Sequence, residues 1–290
     1  MQQTFLFPSR TVVARTIRLT YAPLLMVGFG SAVIVIAGSS APHLWIIAVV
    51  GAAIGFSAVA ERVAPYQAAW NRGRGDRTRD RIHALVNESS TALGVLALPL
   101  LTGAFTIADI WPASIPFALQ VVLALLVLDV GITLTHWASH RVGWLWRFHA
   151  VHHSVTRIYG LNGLMKHPVH QLIETAVGVT PLVLVGVPRS VAAAAAALVA
   201  LQLIAQHSNV DYVVGPIGRV LALNEGHRLH HLRSAGEGDV NFGLFTLIWD
   251  RMIGTYVDPR TRHVKDGDLG IADDPDYPTR YVSQIIEPFR

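Results

Sequence analysis

From Leu19 to Ala60 the chain carries no Asp, Glu, Lys or Arg. A bilayer core about 30 Å thick needs roughly 20 apolar residues in a helix. The run therefore predicts two membrane-spanning helices joined at Ser39-Ser40-Ala41-Pro42. A second apolar hairpin is expected over 89–107 and 111–128, broken near Asp109 and Pro112. A third, shorter pair covers 175–187 and 191–206, broken at Pro188-Arg189. Its first half is short for a full crossing, so it either dips into the bilayer or is a buried core helix. Backbone polar groups in lipid must satisfy one another within the segment, which favours helix. The expected fold class is all-α: a polytopic membrane bundle of about four to six segments.

Basic residues set the orientation. Arg62, Arg72, Arg74, Arg77, Arg79 and Arg81 crowd the loop at 61–83, while the turns at 38–43 and 107–115 carry neither Lys nor Arg. Short loops rich in Arg stay cytoplasmic. The loop is expected there, as is the N-terminus with Arg10, Arg15 and Arg18. The apolar run behind those arginines is too long for the h-region of a cleaved leader. The formal charge of +4 then reflects topology and contact with anionic headgroups, and nucleic acid is not an expected partner. The expected location is integral to the membrane, and the plasma (inner) membrane if the chain is bacterial.

Chemistry is concentrated in histidine. His149-Ala-Val-His152-His153 and His227-Arg-Leu-His230-His231 repeat one pattern, H-x-x-H-H, and His136-Trp-Ala-Ser-His140 stands just upstream. With 14 His in 290 residues, chance would give that pattern about 0.03 times per chain. Positions i, i+3 and i+4 share one helical face, about 5–6 Å apart at Cβ, so three such faces can converge on one point. Neutral imidazole is a common ligand for iron, zinc, copper and nickel. The absence of cysteine removes thiolate zinc sites and Fe–S clusters and leaves nitrogen and oxygen chemistry.

Asp129 precedes His136 by two helical turns on the same face, where a carboxylate can orient a ligating imidazole; marking a helix end is the plainer alternative. Trp144, Trp146 and Phe148 read as interfacial anchors. His167 and His170 straddle Pro168, and His207 closes an apolar segment. His43, His83 and His263 stand outside any cluster and read as ordinary residues. Asn241 and Gly243 suit a turn, with support of a metal ligand as a second role for Asn241.

These pieces, in this order, resemble the fatty acid hydroxylase / sterol desaturase superfamily of integral-membrane di-iron enzymes. The resemblance rests on His136-x-x-x-His140, Arg147-Phe-His149-Ala-Val-His152-His153-Ser154, His167-Pro168, His207-Ser-Asn209 and Glu225-Gly-His227-Arg-Leu-His230-His231. Asp239-Val-Asn241-Phe-Gly243 and Trp249-Asp-Arg-Met-Ile-Gly-Thr-Tyr256 follow. The chain departs from the pattern where His170 stands in place of a frequent Glu, and where Asn224-Glu225-Gly226 replaces the usual Thr-Pro.

Residues 1–128 match the family only as a generic membrane hairpin scaffold, and 258–290 are expected to form a cytoplasmic C-terminal tail. The resemblance covers about 129–256 and implies a catalytic domain at 129–257 with a further membrane hairpin at about 171–206. It implies a cytoplasmic helical cap holding two non-haem irons, for which zinc can substitute. The implied ligands are His136, His140, His149, His152, His153, His167, His207, His227, His230 and His231. The implied reaction uses O₂ and external electrons to hydroxylate or desaturate a lipid C–H bond, in a fatty acyl, sterol or other isoprenoid, or carotenoid substrate. Without a G-x-G-x-x-G or C-x-x-C motif, electrons must arrive from a ferredoxin- or cytochrome-like donor with its reductase. Other classes stay open: an inactive metal-binding lipid scaffold, or a His-lined metal transporter, although transporters place their sites near the midplane. A zinc hydrolase would want H-E-x-x-H, which is absent.

Overall fold

In the computed structural model, which describes residues 11–290, the charge-free run is a helical hairpin. Its first limb is continuous over Val12–Ala37: α1 (Val12–Pro23), a π-helical stretch at Leu24–Phe29, and α2 (Gly30–Ala37). Pro23 brings no N–H to the ladder, and the wider π turn follows it directly. Thr11 caps α1 by accepting from the Ala14 N–H at 3.2 Å. α3 (Leu44–Val63) returns. α4 (Arg77–Phe105) and α5 (Phe117–Ser139) form the second hairpin. After α6 (Gly143–His153), α7 (Pro168–Leu184) and α8 (Arg189–His207) form the third. Short helices α9 (Asn224–His230), α10 (Ala235–Gly238), α11 (Ile248–Ile253) and α12 (Tyr281–Ile286) build a cap. No strand forms among the described residues, only isolated bridges. Arg10 lies outside them.

Among the described residues, five helices are long and apolar enough to cross a bilayer: Val12–Ala37, α3, α4, α5 and α8. α7, at 17 residues, is not among them, in keeping with its short apolar run. The spans differ in role. The apolar window of α8 is 78% buried inside the protein, against 17% for α4 and 33% for α5. α8 is thus the pillar around which the others stand. Its alanine run lets neighbours close in: Ala194, Ala195, Leu198 and Leu201 share one core with Tyr21, Leu25 and Val33 of the first limb and Val121 and Ala124 of α5. That core runs without a break across the 128/129 boundary.

α5 and α7 approach even more closely. A Cβ added at Gly131 would lie 2.8 Å from the Gly178 Cα, so the two backbones meet where neither carries a side chain. Residues 258–290, which include α12, fold back onto α4, α6 and the loop after α3: Gln284 bonds His83 at 2.9 Å, Tyr66 bonds both His263 and the Val264 carbonyl, and Phe289 packs on Phe148.

Two outcomes follow. Gly131→Leu should wedge α5 from α7, costing about 1–3 kcal/mol and lowering the melting temperature in detergent; an unchanged melt would refute the close approach. The natural absence of cysteine allows single-site labelling. Ser40→Cys and Arg72→Cys, both at exposed positions, should react with a membrane-impermeant maleimide from opposite sides of sealed vesicles. Labelling from the same side would break the topology.

Candidate metal centre

The clustered histidines sit where helices end. His136 is in the last turn of α5 and His140 is its C-cap. His149, His152 and His153 occupy α6, His207 is the last residue of α8, and His227 and His230 lie on α9 with His231 as its C-cap. These ends bring the rings into two groups: His136, His140, His149, His153 and His230, and His152, His207, His227 and His231. Within each group, one nitrogen from every residue lies within 4.8 Å of the others. Eight of these residues are buried, and the His140 side chain is 4% exposed.

The outer nitrogens fix which inner nitrogens are bare. The Nδ1–H groups of His136, His230, His152 and His207 donate to the carbonyls of Phe242 (2.9 Å), Val240 (3.1 Å), Met165 (2.8 Å) and Leu203 (3.0 Å). His140 Nδ1–H donates to the Asp239 carboxylate at 2.9 Å. A carbonyl or carboxylate oxygen only accepts, so each of these rings, when neutral, turns a lone pair on Nε2 inward. Nε2 of His136 then faces Nε2 of His230 at 2.8 Å, and His152 faces His207 at 3.2 Å. Two bare lone pairs at that distance repel unless a cation lies between them. Metal–nitrogen bonds of about 2.1 Å set at right angles would place their nitrogens about 3.0 Å apart. The remaining contacts fall in the same range: His140–His153 at 3.1 Å, His149–His153 at 3.0 Å, and His207 to His227 and His231 at 3.0 and 3.1 Å. The donor set therefore fits metal ions, and its chemistry is wholly imidazole.

Burial keeps these rings neutral. Loss of hydration, followed by the neighbouring imidazoles, holds His149, His153, His227 and His231 well below the ordinary imidazole value. Burial also lowers His140, against the pull of Asp239. A cavity of about 20 Å³ lies between the two groups, touched by His136, His149, His152 and His207 and by Lys166 and Glu174. It has room for roughly one water-sized molecule.

A polar frame holds the 242–249 turn against the centre. Asp250 accepts from the backbone N–H of Phe242 (2.7 Å) and Gly243 (2.9 Å) and from Thr255 Oγ1 (2.7 Å). Gln206 and Gln202 of α8 donate to carbonyls of the same turn. Gly243 is required there, because a Cβ would fall 2.1 Å from the Thr246 carbonyl oxygen. Asp129 belongs to this frame and meets no imidazole. It accepts from the Phe245 N–H at 2.7 Å and from Thr246 Oγ1 and Trp249 Nε1 at 2.8 Å. Two helical turns separate it from His136 by about 10 Å along the axis, beyond a carboxylate's reach. Its support is indirect, through the turn whose Phe242 carbonyl holds His136. Asn241 shapes the turn, with φ at +54° and its side chain bonded to Val257.

His167 joins neither group. It caps α7, accepting from the Val169 N–H at 3.1 Å and donating through Nε2 to the Ile285 carbonyl at 3.2 Å. His170 bonds Ser139 at 2.8 Å and lies 4.5 Å from His149, ring centre to ring centre. His43, His83 and His263 are also outside both groups. Two features escaped sequence reasoning. Asp239, as the acceptor for His140, sits in the quoted run after the last motif, but its partner lies 99 residues away. The buried pair Lys166–Glu174 carries no local signal at all.

Comparison with known proteins follows the same outline. Residues 121–255 match the model of the fatty acid hydroxylase family. The chain is 31% identical to ornithine lipid hydroxylase OlsE of Rhizobium tropici over 258 residues, 85% of this chain and 76% of that one. It is 33% identical to the alkylglycerol monooxygenase of Danio rerio over 134 residues, 46% of this chain and 30% of the relative. The Homo sapiens alkylglycerol monooxygenase is 31% identical over 133 residues, 46% of this chain and 29% of that enzyme. No solved structure matches. The family match encloses every histidine of both groups, and with a relative similar over most of both chains it establishes that this protein belongs to the fatty acid hydroxylase family.

Proposed function

We propose that the protein is a membrane-bound non-haem di-iron oxygenase that hydroxylates a C–H bond of a polar membrane lipid, with ornithine lipid as the first substrate to test. The observation that carries this reading is the pair of imidazole groups whose bare nitrogens face one another at the membrane boundary. Its similarity to lipid hydroxylases supports the substrate class. The reaction RH + O₂ + 2 e⁻ + 2 H⁺ → ROH + H₂O balances only with an outside reductant, such as a ferredoxin- or cytochrome-like protein with its reductase. Bound iron would supply the activation of O₂.

The chain's own residues supply the rest. His136, His140, His149, His153 and His230 would hold one ion, and His152, His207, His227 and His231 the other. Their outer hydrogen bonds lock each ring's tautomer before any ion arrives, which lowers the cost of ordering the site. Phe242 packs its ring on His136, His140 and His230 and keeps bulk water from that side. By the basic-residue rule the centre faces the cytoplasm, where soluble electron donors can reach it.

Protein purified in mild detergent should carry close to two irons per chain by elemental mass spectrometry. His152→Ala should lose iron and turnover, while His167→Ala should keep its iron. Normal iron in the first variant would dissolve the second group. Asp239→Asn keeps the shape but weakens the hold on His140, and should lower iron affinity or turnover by about 10–100-fold. With a reductant system, ¹⁸O₂ and ornithine lipid, the new hydroxyl should carry ¹⁸O; a hydroxyl drawn only from water would remove the oxygenase reading.

A further inference from the structure

A second cavity, of about 250 Å³, lies away from the histidines, between the end of α3 and the start of α4. It is amphipathic. Ile54, Leu161 and Ile204 line its apolar part, while Arg62, Arg77 and Arg81 line its polar part. None of these three arginines forms an ion pair among the described residues, although Arg62 lies within electrostatic reach of Glu61; the fourth lining arginine, Arg157, is already paired with Asp76 at 2.6 Å. Arg62 donates to the Ala58 carbonyl of its own helix, Arg77 to the Asn71 carbonyl, and Arg81 makes no hydrogen bond among the described residues. Exposed arginines are common on a loop of this kind, and solvation explains most of them. These three differ in lining one cavity whose wall also holds a buried carboxylate. Glu61 accepts from the Gly160 and Asn209 N–H groups through Oε1 at 2.6 and 3.1 Å, and its other oxygen makes no hydrogen bond among the described residues. The cavity therefore offers an anion three guanidinium groups and offers a cation one carboxylate, above an apolar base.

We propose that this cavity is a headgroup site for a zwitterionic aminolipid. The lipid's anionic group would meet Arg62, Arg77 and Arg81, its ammonium would meet Glu61, and the start of its apolar chains would lie on Ile54 and Ile204. Guanidinium suits phosphate or carboxylate oxygens through paired N–H donors. The level fits as well, because Glu61 and Arg62 lie in the last turn of α3 and Arg77 begins α4, where two spans leave the bilayer. The site is one loop removed from the histidines. Tyr159 and Leu161 wall it, and a Cβ added at Gly163, two residues on, would lie 2.7 Å from His207 Nδ1. This assignment is independent of the oxygenase reading, since binding is measured without turnover.

Native mass spectrometry of the full chain in mild detergent tests it. The probes are phosphatidylethanolamine, phosphatidylglycerol and diacylglycerol of equal chain length, and inorganic phosphate. Phosphatidylethanolamine should be retained about tenfold more than diacylglycerol and more than phosphatidylglycerol. Arg62→Gln/Arg81→Gln should abolish that preference with the melting temperature and metal content unchanged. Glu61→Gln keeps an acceptor for both backbone N–H groups, and should erase only the advantage of the ammonium lipid over phosphatidylglycerol. Equal retention of diacylglycerol, or an unaltered preference in the double variant, would overturn the proposal. So would displacement of the lipid by millimolar phosphate, which would mark a free-anion site.

Discussion

Facing nitrogen lone pairs are the constraint on which this architecture depends. Nine neutral imidazoles, five in one group and four in the other, are packed where water cannot solvate them. Their inner nitrogens stand 2.8–3.2 Å apart. No apolar core would accept this arrangement for its own stability, because buried polar atoms without partners cost about 1–3 kcal/mol each. The surroundings show how the rings are kept in place. Backbone carbonyls at Leu203, Met165, Val240 and Phe242 each take an Nδ1–H. The bundle is thus shaped to deliver carbonyl acceptors as much as histidines.

That delivery explains why α8 is so deeply buried. It ends in His207, whose Nε2 lies within 3.2 Å of three other histidines. Just before it, Gln206, and just over one turn earlier, Gln202, hold carbonyls of the 242–249 turn, and Asp129 of α5 accepts from the backbone of the same turn. Moving α8 would therefore shift one group's shared ligand and the other group's backing together. The glycine contact between α5 and α7 likewise fixes α5, and with it His136 in its last turn, against α7.

The three histidine clusters and the helical hairpins were legible because both signals are local. Spacing at i, i+3 and i+4 survives folding, and hydropathy reports what lipid will tolerate. Helix length was less legible. α4 begins at Arg77, three turns before the apolar run at 89, because a helix can leave the bilayer and continue in water, where hydropathy no longer marks it. His167 shows a different blind spot. A histidine before proline reads alike whether it binds a metal or caps a helix, and only the direction of α7 decides. Asp129 was placed on the correct helical face, yet that face repeats with angle and says nothing of distance along the axis. Asp239 and the Lys166–Glu174 pair depend on contacts that no spacing rule contains.

The commitments of the nearby carboxylates bear on what the centre can do. Asp239 is held by His140 and Arg141, Glu174 by Lys166, and Asp250 and Asp129 by backbone and side-chain donors of the 242–249 turn. Neutral nitrogen is what remains for a cation. On the proposed reading, an ion held by neutral donors in a water-poor site keeps its full charge, and each further positive charge is costlier there than beside carboxylate ligands. Such a donor set would favour the less highly charged state of any ion bound there. The same electrostatics account for Glu174. Lys166 lines the small cavity between the groups, and an unpaired ammonium there would oppose any cation. Its pairing with Glu174 cancels that opposition, and because both partners are buried the pair must be kept intact: loss of either would leave an uncompensated charge beside the metal ligands.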